Sequence, residues 1–202
     1  MKQENFILAL SSPSGAGKTS IARKILESDP KFVTSISVTT RPKRPSEIDG
    51  RDYFFVTKEK FKSMKEQDQL LEDAMVHGNY YGSPKQYVLE MLSQDHDVIF
   101  DIDWQGTHSL KEKLGSIVIS IFILPPSLSE LEARLKTRGE DSEEVINQRM
   151  ANAKDEILHY NEYDYVLINN DFDKTLDRVR KIIEAERLRH FNFSKFVEKI
   201  MS

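Results

Sequence analysis

The chain has no cysteine. That excludes a disulfide framework and any thiolate metal site, and it suits a reducing compartment. No apolar run approaches the ~20 residues that a membrane-spanning helix needs, so no membrane association is expected. Met1-Lys2-Gln3-Glu4-Asn5 leads straight into a strand-like run without a long apolar leader, so no signal peptide is expected and the chain reads as cytoplasmic. Positive charge is not in surplus: 29 Lys and Arg stand against 33 Asp and Glu, giving a formal net charge of −4 and a pI ≈ 5.8. This argues against a nucleic-acid surface, because no global basic excess exists to meet a phosphate backbone. The local basic clusters that do exist suit a small anion. No internal repeat, low-complexity tract or flexible linker interrupts the 202 residues, which are ample for one domain with small inserted lobes.

What is present is organised around Ser12-Pro13-Ser14-Gly15-Ala16-Gly17-Lys18-Thr19. An apolar run, Phe6 to Leu10, precedes it, and Ile21, Ala22, Ile25 and Leu26 follow at helical spacing. The stretch is therefore a strand-to-helix turn, the setting of a phosphate-binding loop. Gly15 and Gly17 let the backbone curl so that successive N–H groups face one anion, and the helix N-terminus adds partial positive charge. Lys18 would reach the outer phosphates and the Thr19 hydroxyl would ligate Mg²⁺. Ser12 departs from the G-x-x-x-x-G-K-[ST] pattern, which has glycine there.

The rest of the chain alternates strands and helices at both ends and holds a β-rich block in the middle. The first helix is expected to end at Ser28, before Asp29-Pro30. Phe32 to Val38 reads as one strand, and Asp49-Gly50 as a hairpin turn into a strand from Arg51 to Val56. Thr57 caps a short helix, Leu70 to Val76 is a strand, and Ser83-Pro84 reads as an N-cap with proline at the first helical position. Val98 to Asp103 is an apolar strand ending in carboxylates, and Ile117 to Leu124 reads as a strand buried on both faces. Ser127 and Ser142 cap two further helices, Tyr165 to Ile168 is the last core strand, and Asp173 starts the next helix. In the tail, Phe193, Phe196, Val197 and Ile200 recur at helical spacing.

These signals predict an α/β fold: a P-loop parallel sheet core flanked by helices, with an inserted β-rich lobe and a helical lid. The expected core comprises residues 1–36, 95–126 and 158–202, the inserted lobe 37–94 and the lid 127–157.

Several side chains stand out. Asp101 and Asp103 fall at the C-terminal end of a strand, the edge where parallel sheets bind ligands. They would hold Mg²⁺ through its waters or hold an acceptor, or else cap a helix. Arg41 and Arg44 bracket Pro42-Lys43 as a stiff fork for a phosphate, with Tyr53, Tyr81 and Ser83 hydroxyls in the same lobe. Arg134 and Arg138 share a helix face and Arg149 sits on the next helix, a set suited to a transferring phosphoryl group.

Taken together, the segments resemble guanylate kinase. The resemblance runs in order through Ser14 to Thr19, Ser37-Val38-Thr39-Thr40-Arg41, Arg44 with Glu47, Asp49 to Tyr53 and Gly78 to Ser83. It continues through Asp101-Ile102-Asp103-Trp104-Gln105-Gly106, Pro125-Pro126-Ser127, Arg134 with Arg138-Gly139, and Arg149. It implies transfer of the γ-phosphoryl group of ATP to GMP, and to dGMP, with Mg²⁺ as cofactor, in a monomer or homodimer. It further implies that Ser14, Gly15, Ala16, Gly17, Lys18, Thr19 and Ser20 hold the donor, with Asn169 near the adenine and Thr19 and Asp101 serving the metal. Arg41, Arg44, Tyr53 and Tyr81 would hold the acceptor phosphate, and Ser37, Glu72 and Ser83 would read guanine. Asp103 would lie near the acceptor, and Lys18, Arg41, Arg134, Arg138 and Arg149 would supply charge for transfer. A non-catalytic scaffold module of the same fold, or a kinase for another base, are the alternatives.

Overall fold

The computed structural model describes residues 5–45, 47–76, 78–138, 142–189 and 194–202. In chain order the elements are β1 (Ile7–Ser11), α1 (Lys18–Ser28), β2 (Phe32–Thr34), β3 (Val38–Thr39), β4 (Phe54–Phe55), α2 (Lys58–Glu66), β5 (Leu70–Val76), β6 (Asn79–Pro84) and α3 (Lys85–Ser93). They continue with β7 (Asp97–Asp101), α4 (Trp104–Leu114), β8 (Val118–Leu124), α5 (Leu128–Arg138), α6 (Glu143–Ile157), β9 (Tyr165–Ile168), α7 (Phe172–Arg187) and α8 (Ser194–Met201).

Five strands form a parallel sheet in the order β2-β7-β1-β8-β9. β1 is wholly buried, and the alternation of a strand divides its side chains between two faces. Phe6, Leu8 and Leu10 pack with Ile21 and Ile25 of α1 and with Leu176, Val179 and Ile183 of α7. Ile7 and Ala9 pack on the other face with Val88 of α3 and Leu110 of α4. Because β1 is central, the loop that follows it opens at the middle of the sheet's carboxyl edge.

A second sheet, in the order β4-β3-β6-β5, is built around Val38, Phe61 and Leu70. It departs from the sequence reading in three places. The run Phe32 to Val38 is two strands: β2 pairs with β7 in the core, while β3 pairs with β4 and β6 in the second sheet. β-Propensity marks both halves as extended and carries no information about which partner each half finds. Asp49-Gly50 is a turn, with Gly50 at φ 77°, but it closes no hairpin, because β4 runs parallel to β3. Ser83 is not an N-cap. It is the buried penultimate residue of β6, and Pro84 takes the cap position of α3 without a side-chain bond.

Two boundaries also move. β7 stops at Asp101 and Asp103 becomes the N-cap of α4, its Oδ1 accepting from Gly106 N at 2.9 Å. Asp171 rather than Asp173 caps α7, accepting from Lys174 N. Ser127 and Ser142 cap α5 and α6 as expected, accepting from Glu130 N and Val145 N. α8 forms within the tail, with Phe196, Val197 and Ile200 exposed; Phe193 lies outside the described residues.

At the opposite edge of the sheet, Asp97 is fully buried. Arg187 of α7 reaches its Oδ2 at 2.7 Å and Asp29 Oδ2 at 2.7 Å, while Phe6 N donates to Asp97 Oδ1. Burial raises the Asp97 carboxyl pKa and Arg187 opposes that rise. This pair ties α7 to the start of β7 and the end of α1.

Candidate functional site

Gly15 and Gly17 have φ of +94° and +104°, so the loop after β1 needs them. Ser12 is not among the positive-φ residues, so a side chain is accommodated there without strain; its hydroxyl donates to Pro13 O. Gly17 is required on a second count, because a Cβ would lie 2.6 Å from Asn169 Nδ2. Asn169, buried at the end of β9, donates that Nδ2 to Ala16 O at 2.8 Å. One of its side-chain N–H groups is thus committed to holding the loop.

Lys18 and Thr19 open α1 and both meet Asp101 at the end of β7. Lys18 Nζ lies 2.7 Å from Asp101 Oδ1 and donates to Ile102 O at 3.0 Å; Thr19 Oγ1 donates to Asp101 Oδ2 at 2.6 Å. The geometry follows from parallel pairing, which sets the end of β7 beside the end of β1. A cleft of about 660 Å³ lies over this set, and Ser20, Asp103 and Arg134 also line it.

The helices α5 and α6 rest on the loop. Leu131 of α5 and Ala153 of α6 bury against Ala16, with Met150 at the margin. Arg134 donates from Nη2 to Asn169 O and from Nε to Glu130 Oε1; Arg149 Nη1 lies 3.2 Å from Ser14 Oγ. Arg138 is the last residue of α5, and its side chain lies outside the described residues.

The second sheet carries the other group of candidates. Arg41 Nη2 pairs with Glu47 Oε1 at 2.6 Å, and Glu47 Oε2 accepts from Arg44 N at 2.8 Å. Arg41 and this backbone N–H hold the Glu47 carboxyl below its ordinary range. The Arg41 guanidinium stands 5.4 Å over the Tyr53 ring, and Tyr53 meets Tyr81 edge to face at 6.0 Å. Arg44 has an exposed side chain in the same loop. Ser37 and Tyr53 line a further cavity of about 360 Å³ together with Thr19 and Asp101, which bridges the two sheets.

Glu72 of β5 is 7% exposed and accepts from Ser83 Oγ at 2.6 Å; Ser35 Oγ donates in turn to Ser83 Oγ at 3.3 Å. Burial pushes the Glu72 carboxyl up to about 7, with Ser83 opposing and Asp103 adding to the rise.

Lys18, Thr19, Ser20, Asp101, Asp103 and Arg134 thus line one cleft, and Ser37 and Tyr53 line a cavity that shares Thr19 and Asp101 with it. Sequence reasoning missed two participants in them. Ser35 lies two residues before Ser37. Glu156, on α6, lines the phosphate cleft beside Arg134 and Asp103. A signal for it exists, because Arg149, Ala153 and Glu156 are spaced i, i+4, i+7 and share one helix face.

A parallel sheet with a phosphate loop at its carboxyl edge and arginine-bearing helices over that loop defines a P-loop nucleotide-binding protein. The guanylate kinase family profile matches residues 4–186. Guanylate kinase of Rhizobium meliloti (strain 1021) is 54% identical over 187 residues, covering 93% of this chain and 85% of that protein. Guanylate kinase of Maricaulis maris (strain MCS10) is 48% identical over 203 residues, covering 99% and 93%. The crystal structure of guanylate kinase from Anaplasma phagocytophilum superposes with a TM-score of 0.75 at 36% identity, covering 95% of this chain and 91% of that one. The SH3-kinase fragment of tight junction protein 3 shares the fold alone, with a TM-score of 0.52 at 12% identity. The chain belongs to the guanylate kinase family, and it is an ATP:GMP phosphotransferase. Among the described residues, no helix is long and apolar enough to cross a membrane.

Proposed function

We propose that the core, residues 1–36, 95–126 and 158–202, holds ATP, that residues 37–94 hold GMP, and that residues 127–157 act as the lid. The observation that carries this division is the placement of Lys18, Thr19 and Asp101 on the core edge, across a shared cavity from Ser37 and Tyr53. The loop N–H groups and Lys18 cradle the donor phosphates. Arg41, Arg44, Tyr53 and Tyr81 hold the acceptor phosphate, with Glu47 keeping Arg41 in place before GMP arrives. Ser37, Glu72 and Ser83 read guanine, whose N1–H and 2-amino group are two adjacent donors for one carboxylate.

The acceptor is an ionised phosphate oxygen near neutral pH, since a phosphate monoester loses its second proton at a pKa of about 6. The step therefore needs alignment and neutralised charge more than a protein base or nucleophile. Lys18, Arg134, Arg138 and Arg149 supply that positive charge, and Asp103 sits between the donor cleft and the Glu72 site to orient the acceptor. Thr19 and Asp101 offer two hard oxygens side by side, as Mg²⁺ prefers, and no group of three or more acidic or histidine ligands among the described residues competes for it. When bound there, Mg²⁺ would neutralise phosphate charge. The setting is cytoplasmic, and dGMP is a second acceptor.

A coupled assay with ATP and each nucleoside monophosphate tests the reading. GMP is expected to turn over far faster than AMP, CMP or dTMP. Lys18→Ala is expected to lower kcat by on the order of 10²–10³ while the melting temperature holds, since it removes a preorganised transition-state charge. Parental turnover in a folded Lys18→Ala protein would reject the donor-site assignment.

A further inference from the structure

Three carboxylates line the phosphate cleft. Asp101 is bonded to Lys18 and Thr19, and Asp103 accepts from Gly106 N. The carboxylate of Glu156 makes no hydrogen bond or ion pair among the described residues. It is nevertheless half-buried, and burial raises its pKa, with Lys18 acting against the rise and Asp103 with it. A carboxylate that accepts no hydrogen bond at an anion site is not there to stabilise the fold, because its burial costs energy that the nearby charge of Lys18 offsets only in part. Its place is held by the helix: Ala153, one turn earlier on the same face, is buried against Ala16 of the loop.

We propose that Glu156 is a specificity-determining residue that selects the metal complex of the donor over the free polyphosphate. This rests on the reading that the loop at residues 12–19 holds the ATP phosphates. A fixed negative charge in the cleft opposes every phosphate charge that is not compensated. Free ATP brings its full charge into the cleft, whereas coordination of a divalent cation removes about two of those charges. Lys18 and Arg134 attract the more highly charged free form more strongly, and Glu156, of opposite sign, offsets that preference. It also competes with incoming phosphate for Lys18, so a weakly neutralised ligand gains less from that side chain. At the separations of a partly buried cleft, one charge is worth on the order of tenfold in affinity.

The test is equilibrium binding of ATP, without GMP, measured by titration calorimetry in excess EDTA and again in excess Mg²⁺. In Glu156→Gln, the Kd for metal-free ATP is expected to fall by about tenfold, and that for ATP with Mg²⁺ by less than about threefold. Glu156→Asp, which keeps the charge, is expected to retain the parental ratio of the two. An unchanged ratio in Glu156→Gln overturns the proposal while leaving the donor site standing. Weaker binding of the Mg²⁺ complex in Glu156→Gln also overturns it, because the carboxylate would then be attracting the metal's hydration shell. Failure of the parent protein to bind ATP with Mg²⁺ at all rejects the donor-site reading together with this one.

Discussion

On the proposed reading of guanine, Glu72 joins stability and recognition in one side chain. Its folded-state pKa of about 7 lies above the ordinary 4.5, so the folded protein without GMP retains a proton that the unfolded chain releases between those values. Stability from this group is therefore greatest at low pH and falls as pH rises through that window, by at most ~3 kcal/mol. Glu72→Gln removes the titration. The variant without ligand is expected to gain melting temperature relative to the parent between pH 5 and pH 8, read by calorimetry at both. Recognition runs the other way, since guanine's two donors need the ionised form. GMP affinity of the parent is expected to weaken as pH drops below about 7, and Glu72→Gln is expected to show no such dependence. A parental pH profile in the variant would place guanine reading with Ser37, Ser83 or the backbone. At the same scale, Ser12 illustrates a departure from a motif with no structural consequence, because its position does not require a positive φ.

Among the elements, the phosphate loop depends on others for its shape. β1 and α1 define its ends, but Asn169 at the end of β9 holds its middle, and α5 and α6 cover it. Gly17→Ala is expected to fail on both counts, since it places a Cβ at φ +104° and 2.6 Å from Asn169 Nδ2. The expected cost is about 1–3 kcal/mol in stability, with a marked loss of ATP affinity. Chemical denaturation and calorimetric titration would read the two effects separately. A Gly17→Ala protein with parental ATP affinity would show that the loop keeps its function after Asn169 is displaced. Arg134, which bonds the carbonyl of the same Asn169, links α5 to this strut.

Over the whole molecule, the second sheet packs on the first through Leu71 of β5, which is buried with Ile7, Ala9 and Val98, and the ligands proposed for the two parts carry like charge. Each part has a reason to approach the other only when phosphates are bound and neutralised. Addition of a bisubstrate analogue is expected to shrink the radius of gyration measured by solution scattering, and closure would also exclude water that could hydrolyse ATP. Identical scattering with and without the analogue would count against residues 127–157 as a moving lid. α8 presents Phe196, Val197 and Ile200 to solvent, so its apolar spacing produced a helix without a partner surface among the described residues.

The local features were legible in the sequence because their causes are local. The loop from Ser12 to Thr19, the caps at Thr57, Ser127 and Ser142, and the doubly buried strand from Val118 to Leu124 each follow from residue type and spacing over a few positions. The ordered motifs carried the family as well. What only tertiary structure decided are the pairings between distant segments. Phe32 to Val38 divides between two sheets, β4 runs parallel to β3, and Ser83 bonds Glu72 instead of capping a helix. Asp97 finds Arg187 ninety residues away, Asn169 braces a loop far from it in the chain, and Glu156 lines the cleft over that loop with no hydrogen-bond partner among the described residues. Propensity and capping act along the chain, whereas burial and hydrogen bonding between elements depend on which surfaces meet, and that is a property of the packed fold.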